Sequence, residues 1–254
     1  MVIGAPRTGT HFLASAVQPP LRSGHEAEGN QVVARAALLR SGALGVGEVE
    51  EFIRARRHVL ALDADVSHLN GLLIKHWPGA DPAARFLLTV RPPLQWLNAY
   101  LDNFFTVFER VRRPTQGGYR PWYRIADNLR FGGIEAANPR FEAPLTGEGL
   151  FPLDAYLLFW RRLIEDARRF VSPDRLLILR TDELAAELPR VADSLGWPEG
   201  SLSAQGAHRD PAPKRWRTLQ RLDPGYLRER MQMCLAGFDW PAVHTSPDEA
   251  RESM

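Results

Sequence analysis

Cysteine is almost absent from this chain of 254 residues. The single one, Cys234, excludes an intramolecular disulfide and any zinc site built on several thiolates. A reducing, cytoplasmic setting is the expectation. Lysine is nearly as scarce: among 32 basic residues only Lys75 and Lys214 are not arginine. A GC-rich coding bias accounts for that total, so the planar guanidinium fork, which suits phosphate and sulfate, matters only at particular sites. Net charge is also small, +2 at pH 7, which gives no ground for a nucleic-acid partner or an acidic membrane surface. No run reaches the roughly 18 apolar residues that a membrane span needs. No basic segment followed by an apolar one precedes the first motif, so no signal peptide is expected. There is no internal repeat, and no HExxH or comparable spacing; no metal is expected.

What is present is an ordinary globular composition, 44% hydrophobic and 24% charged. The length suffices for one large α/β domain or two small ones. The expectation is one domain over residues 1–243 and a disordered polar tail over 244–254. Val2-Ile3 reads as the end of a buried strand, although the run before Gly4 is shorter than the usual strand of about five or six residues. Helices are expected over His11–Val17 (stopped by Pro19-Pro20), Gln31–Arg40 and Gly47–Arg57. Val59–Leu62 reads as a short strand ending at Asp63, and Ser67–Trp77 as a helix. Phe86–Val90 has the length and apolarity of a buried parallel strand. It breaks at Arg91-Pro92-Pro93 into a long amphipathic helix reaching about Arg110.

Residues 112–152 are rich in Gly, Pro, Arg and aromatics and poor in periodicity. The aromatics Tyr119, Trp122, Tyr123, Phe131 and Phe141 make this stretch read as a folded lid over an acceptor site. Beyond it come a helix at Leu153–Phe170, a strand at Leu176–Leu179 and a helix at Asp182–Leu195 capped by Asp182. Gly196 and Pro198 stop that helix. Asp223-Pro224 opens a last one. Short apolar strands alternating with helices indicate a three-layer α/β/α fold around a parallel sheet of four or five strands. Ligands of such sheets bind at the carboxyl ends of the strands, so the loops after Ile3, Asp63, Val90 and Leu179 are the ones to inspect.

The first of these loops runs Gly4-Ala-Pro-Arg-Thr-Gly-Thr-His11. Glycines that let the backbone curl, with a helix N-terminus behind them, make an anion cradle. The Gly4-x4-Gly9 spacing matches a nucleotide-binding P-loop, but Thr10 and His11 stand where a kinase has Lys and Ser or Thr. The positive charge is carried instead at Arg7. Pro6-Arg7-Thr8-Gly9-Thr10 resembles the 5′-phosphosulfate loop of sulfotransferases that use 3′-phosphoadenosine 5′-phosphosulfate (PAPS). Arg91 at the end of its strand, then a Pro turn and a helix containing Trp96, resembles the family's 3′-phosphate segment. The family's serine is missing about two turns on: Ala99 stands there, with Asn98 beside it as a substitute. Leu176–Leu184 and Leu195-Gly-Trp-Pro198 resemble an architectural segment of the same family. His208–Arg217 resembles its basic C-terminal loop, with Lys214, Arg215 and Arg217 facing the nucleotide.

The resemblance implies a P-loop-like sulfotransferase fold, PAPS as donor, adenosine 3′,5′-bisphosphate as product and no metal. The donor is then held by Pro6, Arg7, Thr8, Gly9, Thr10, His11, Arg91, Asn98, Lys214 and Arg215. Arg7 also stabilises charge on the leaving phosphate. The acceptor is a hydroxyl or amine of a small molecule, sugar or lipid. Its proton needs a base of suitable reach and pKa. Glu26 is the first choice and His25 its neighbour or substitute; His68 or Asp65 comes next. Three rivals stay open: a Mg-ATP-dependent P-loop kinase, a nucleotide-binding module without turnover, and a structural protein that has lost the cofactor.

Overall fold

A computed structural model describes residues 1–112, 122–205, 207 and 217–238. In chain order the elements are β1 (Val2–Gly4), α1 (Thr10–Ala16), β2 (Ser23–His25), α2 (Gly29–Arg40), α3 (Val46–Leu60), β3 (Ala64–Val66), α4 (Trp77–Ala80), β4 (Phe86–Val90), α5 (Pro93–Arg112), α6 (Trp122–Phe131), α7 (Pro139–Thr146), α8 (Leu153–Phe170), β5 (Leu176–Arg180), α9 (Leu184–Leu195) and α10 (Pro224–Cys234). The fold is α/β, with one five-stranded sheet in the order β2-β3-β1-β4-β5, parallel throughout. The chain divides into two compact units: Met1–Arg91 with Leu163–Asp210, and Pro92–Arg162 with Pro211–Met254.

The first unit carries the whole sheet. Register places Val2 beside Leu87 and Ile3 beside Leu88, and all four are buried, so both faces of the central strands are covered. One face packs on α1 and α9: Val2, Val66, Leu87 and Leu179 meet Phe12, Leu13, Leu184, Leu188 and Val191. Each such side chain removed from water contributes about 1.5–3 kcal/mol. A parallel sheet buried on both faces needs strands that are apolar at successive positions, which is what Phe86–Val90 provides. Gly196 ends α9 in the left-handed conformation and returns its N–H to Asp193 and Ala192.

Three local expectations are corrected. Val59-Leu60 belongs to α3, and the strand lies later, at Ala64–Val66. The helical surroundings of α3 outweigh the apolar run, whose four residues cannot be told from a helix end by pattern alone. In place of a helix over Ser67–Trp77 there is a 3-10 turn at Asn70–Leu73 and the short α4. Asp182 does not cap α9; Glu183 occupies that position and Asp182 pairs with Arg180 instead.

The second unit, within its described residues, is helical. Trp96, Leu97, Leu101, Phe131, Tyr156 and Trp160 are buried in its core. The described part of 112–152 is not without periodicity, since it contains α6 and α7. Glu142 on α7 is fully buried and used twice: it accepts from the Leu153 N–H at the start of α8 (2.8 Å) and from the Tyr226 hydroxyl on α10 (2.6 Å). Asp223 caps α10 as the sequence suggests, accepting from the Tyr226 N–H at 2.8 Å. No helix among the described residues is long and apolar enough to cross a membrane.

Candidate functional site

Strand order decides where a ligand site can form. The chain leaves β1 toward β2 on one side and leaves β4 toward β5 on the other, so β1 and β4 flank the topological switch point of the sheet. Gly4 is in register with Thr89, so the loop after β1 and Arg91 after β4 emerge side by side. His25 is in register with Val66, which brings Glu26 and His68 to the same carboxyl edge.

The loop between β1 and α1 is held by hydroxyl groups. Thr8, buried, donates from Oγ1 to the Ala5 carbonyl (2.7 Å) and shares a 2.8 Å hydrogen bond with Thr89 Oγ1. Thr181, just past β5, donates to the Thr8 carbonyl at 3.1 Å and the Val90 carbonyl at 2.9 Å. Thr8 is therefore a builder of the loop, its hydroxyl bonded to Ala5 and Thr89. Gly4 does not supply the curl that the sequence suggested. It is part of β1, and a Cβ there would lie 2.4 Å from Thr89 Oγ1 and 2.5 Å from Thr8 Oγ1. The turn is made by Arg7 and Gly9, at φ 69 and 93. Left-handed residues in such a turn direct successive N–H groups to one side, a concavity that suits anions. With seven residues α1 adds little dipole, so the charge of the site comes from side chains.

Two of those are arginines. Burial, and then the neighbouring charge of Arg7, lower the pKa of the half-buried Arg91 guanidinium; Asp182 works in the other direction. Asp182 is itself held low, first by its hydrogen bond from Arg180 and then against its own partial burial. Two guanidinium groups close enough to oppose one another are stabilised by an anion between them.

Beside them stand three histidines and an acid. His68 Nε2 lies 2.8 Å from Glu26 Oε1, and both side chains are nearly buried. His25 Nε2 lies 3.3 Å from Thr10 Oγ1, and its ring is 3.7 Å, centroid to centroid, from that of His11. Burial lowers the His25 pKa to about 4. Glu26 and Glu28 are both left-handed, at φ 53 and 51, a conformation that costs a non-glycine residue on the order of 1 kcal/mol. Arg56 holds this turn. From α3 its buried guanidinium reaches the Ala27 carbonyl (2.6 Å) and pairs with Asp65 on β3. Asp65, a second-choice base, is thereby committed to Arg56.

The structure thus brings Pro6, Arg7, Thr8, Gly9, Thr10, His11, His25, Glu26, His68 and Arg91 to one edge of the sheet in the first unit. Asn98 lies on α5 in the second unit, half-buried. Lys214 and Arg215 lie outside the described residues, as do 113–121 of the expected lid and the expected tail. Arg217 is exposed in the second unit. Thr89, Thr181 and Arg56 were missed. The two threonines follow the rule that strand carboxyl ends matter. Arg56 carries no local signal, because it is one arginine of several in α3. No protein-family model and no curated protein matches this sequence. Among the described residues no group of three or more His, Cys, Asp or Glu side chains could hold a metal ion.

Proposed function

We propose that the protein is a sulfotransferase, taking the sulfuryl group of PAPS and giving it to a hydroxyl or amine of a small-molecule, sugar or lipid acceptor. The observation that carries this is the convergence of Arg7 and Arg91 at the switch point, one guanidinium in the loop after β1 and one at the end of β4. A donor with a 5′-phosphosulfate and a separate 3′-phosphate presents two anionic groups to two such forks. The P-loop-like sulfotransferase pattern at Pro6–Thr10 supports the same reading, and Thr10-His11 in place of Lys-Ser/Thr disfavours a kinase.

The donor supplies an activated sulfuryl group. Arg7 and the loop N–H groups hold the phosphosulfate and stabilise charge that develops on the departing phosphate; Arg91 holds the 3′-phosphate. Glu26 takes the acceptor's proton. His68, hydrogen-bonded to Glu26 Oε1, fixes the carboxylate and stabilises its charge until the proton arrives.

Calorimetric titration with adenosine 3′,5′-bisphosphate tests the reading, without and with magnesium and with ATP for comparison. Micromolar binding without magnesium is expected, weakened at least tenfold by Arg7→Ala and by Arg91→Ala. Absence of binding, or binding of Mg-ATP alone, would overturn it.

A further inference from the structure

His25 belongs by contact with the first turn of α1 and not with its chain neighbour Glu26. Its Nε2 is at 3.3 Å from Thr10 Oγ1, and its ring lies 3.7 Å from that of His11, tilted by 41°. Thr10 and His11 open α1 directly after Gly9, at the end of the loop that holds Arg7. Three elements bring charge to His25. His11 comes from α1, His68 from the turn after β3, and Glu26 from the end of its own strand. Only Glu26 is acidic, and its carboxylate already engages His68 at 2.8 Å. Two imidazoles this close cannot both be protonated unless an anion joins them. Burial adds to the penalty, and His11 and His68 add to it again, so His25 stays neutral near pH 7.

We propose that His25, together with His11, contacts the donor's phosphosulfate group, and that the imidazole pair takes up a proton when this anion binds. The proposal rests on the sulfotransferase reading of the same site. A bound anion adds negative charge beside His25 to that of Glu26, which is engaged with His68. Linkage is reciprocal: a ligand that favours the protonated pair raises its proton affinity by the factor by which protonation tightens binding. Affinity therefore rises as pH falls below the bound-state pKa toward the free-state value of about 4, by up to tenfold per pH unit. His25 is then a residue that selects the anion, and proton removal from the acceptor is left to Glu26 and His68.

The test is calorimetric titration of the full chain with adenosine 3′,5′-bisphosphate at pH 6.5, in two buffers of different ionisation enthalpy. The ligand's own phosphates titrate near pH 6, so the quantity read is the proton uptake of the native protein minus that of His25→Gln. Native protein is expected to take up more, by a fraction approaching one proton per ligand, and to gain affinity relative to the variant between pH 8 and 6. Equal proton uptake by the two overturns the proposal and leaves the sulfotransferase reading standing. No binding by the native protein overturns both. Should His25→Gln fail to fold, the His25 ring resonance of the native protein replaces it. Its titration midpoint is expected to rise from about 4 to above the pH of the titration with the bisphosphate, and a midpoint that stays below that pH overturns the proposal.

Discussion

His68 Nε2 is hydrogen-bonded to Glu26 Oε1 at 2.8 Å across 42 positions of sequence, and the glutamate that makes the contact has a left-handed backbone. A non-glycine residue at φ 53 loses on the order of 1 kcal/mol, and such losses persist where the surroundings over-determine the conformation. Here the surroundings are Arg56, its bond to the Ala27 carbonyl and its ion pair with Asp65. Stability and function are therefore expected to part at Glu26. Glu26→Gly should be more stable than Glu26→Ala by about 1 kcal/mol, because glycine relieves the strain while both lose the hydrogen bond to His68. Urea denaturation of the two variants measures this; equal midpoints would show the turn to be unstrained.

The close approach at the start of the loop makes a second prediction. An alanine at position 4 would put its Cβ within 2.5 Å of two buried threonine hydroxyls and 3.0 Å from the Thr89 carbonyl. Gly9→Ala instead strains a left-handed backbone and meets mainly the far end of the Leu184 side chain. Gly4→Ala is expected to cost about 2–3 kcal/mol and Gly9→Ala about 1–2. Thermal or urea unfolding gives the order, and a larger loss in Gly9→Ala would contradict it.

His25 predicts an acid-sensitive fold. Its pKa falls from an unfolded value near 6.5 to about 4, through burial first. Between those values the unfolded chain binds the proton and the folded one does not, so stability is full above about pH 6.5 and declines as pH drops toward 4. Partial exposure screens the effect, which leaves roughly 1–2 kcal/mol between pH 7 and 4.5. His25→Gln should flatten that part of the profile, as urea midpoints at pH 7, 6 and 5 would record. A parallel profile in the variant would place the acid sensitivity elsewhere.

Cys234 predicts the opposite of a reactive thiol. Burial, and then the adjacent Asp154 carboxylate, push it up to about 12. Asp154 is shared with Arg230, whose Nε donates to it at 2.8 Å. Alkylation by iodoacetamide at pH 8 should be negligible in the folded protein and complete in urea, since the thiolate is the nucleophile. Rapid labelling of the native form would refute the assignment.

Much of the fold is legible in the sequence where one segment decides its own conformation. Phe86–Val90 is apolar at every position and becomes a strand buried on both faces. Gly196 before Trp197-Pro198 stops α9 because glycine alone adopts the left-handed end without cost. The same local logic fails at Val59–Leu62, where an apolar run of four fits a helix end as well as a strand. Nor does it show that Thr8 meets Thr89, 81 positions away, through its hydroxyl. At the carboxyl edge the sequence offers Glu26 and His68 as alternatives and attaches His25 to Glu26. Tertiary structure pairs Glu26 with His68 and turns His25 to Thr10. The reason is physical: pattern and propensity fix backbone angles and which face is buried, within reach of a few residues. Which side chains meet depends on strand order, and the order β2-β3-β1-β4-β5 sets Arg7 beside Arg91 and Glu26 beside His68.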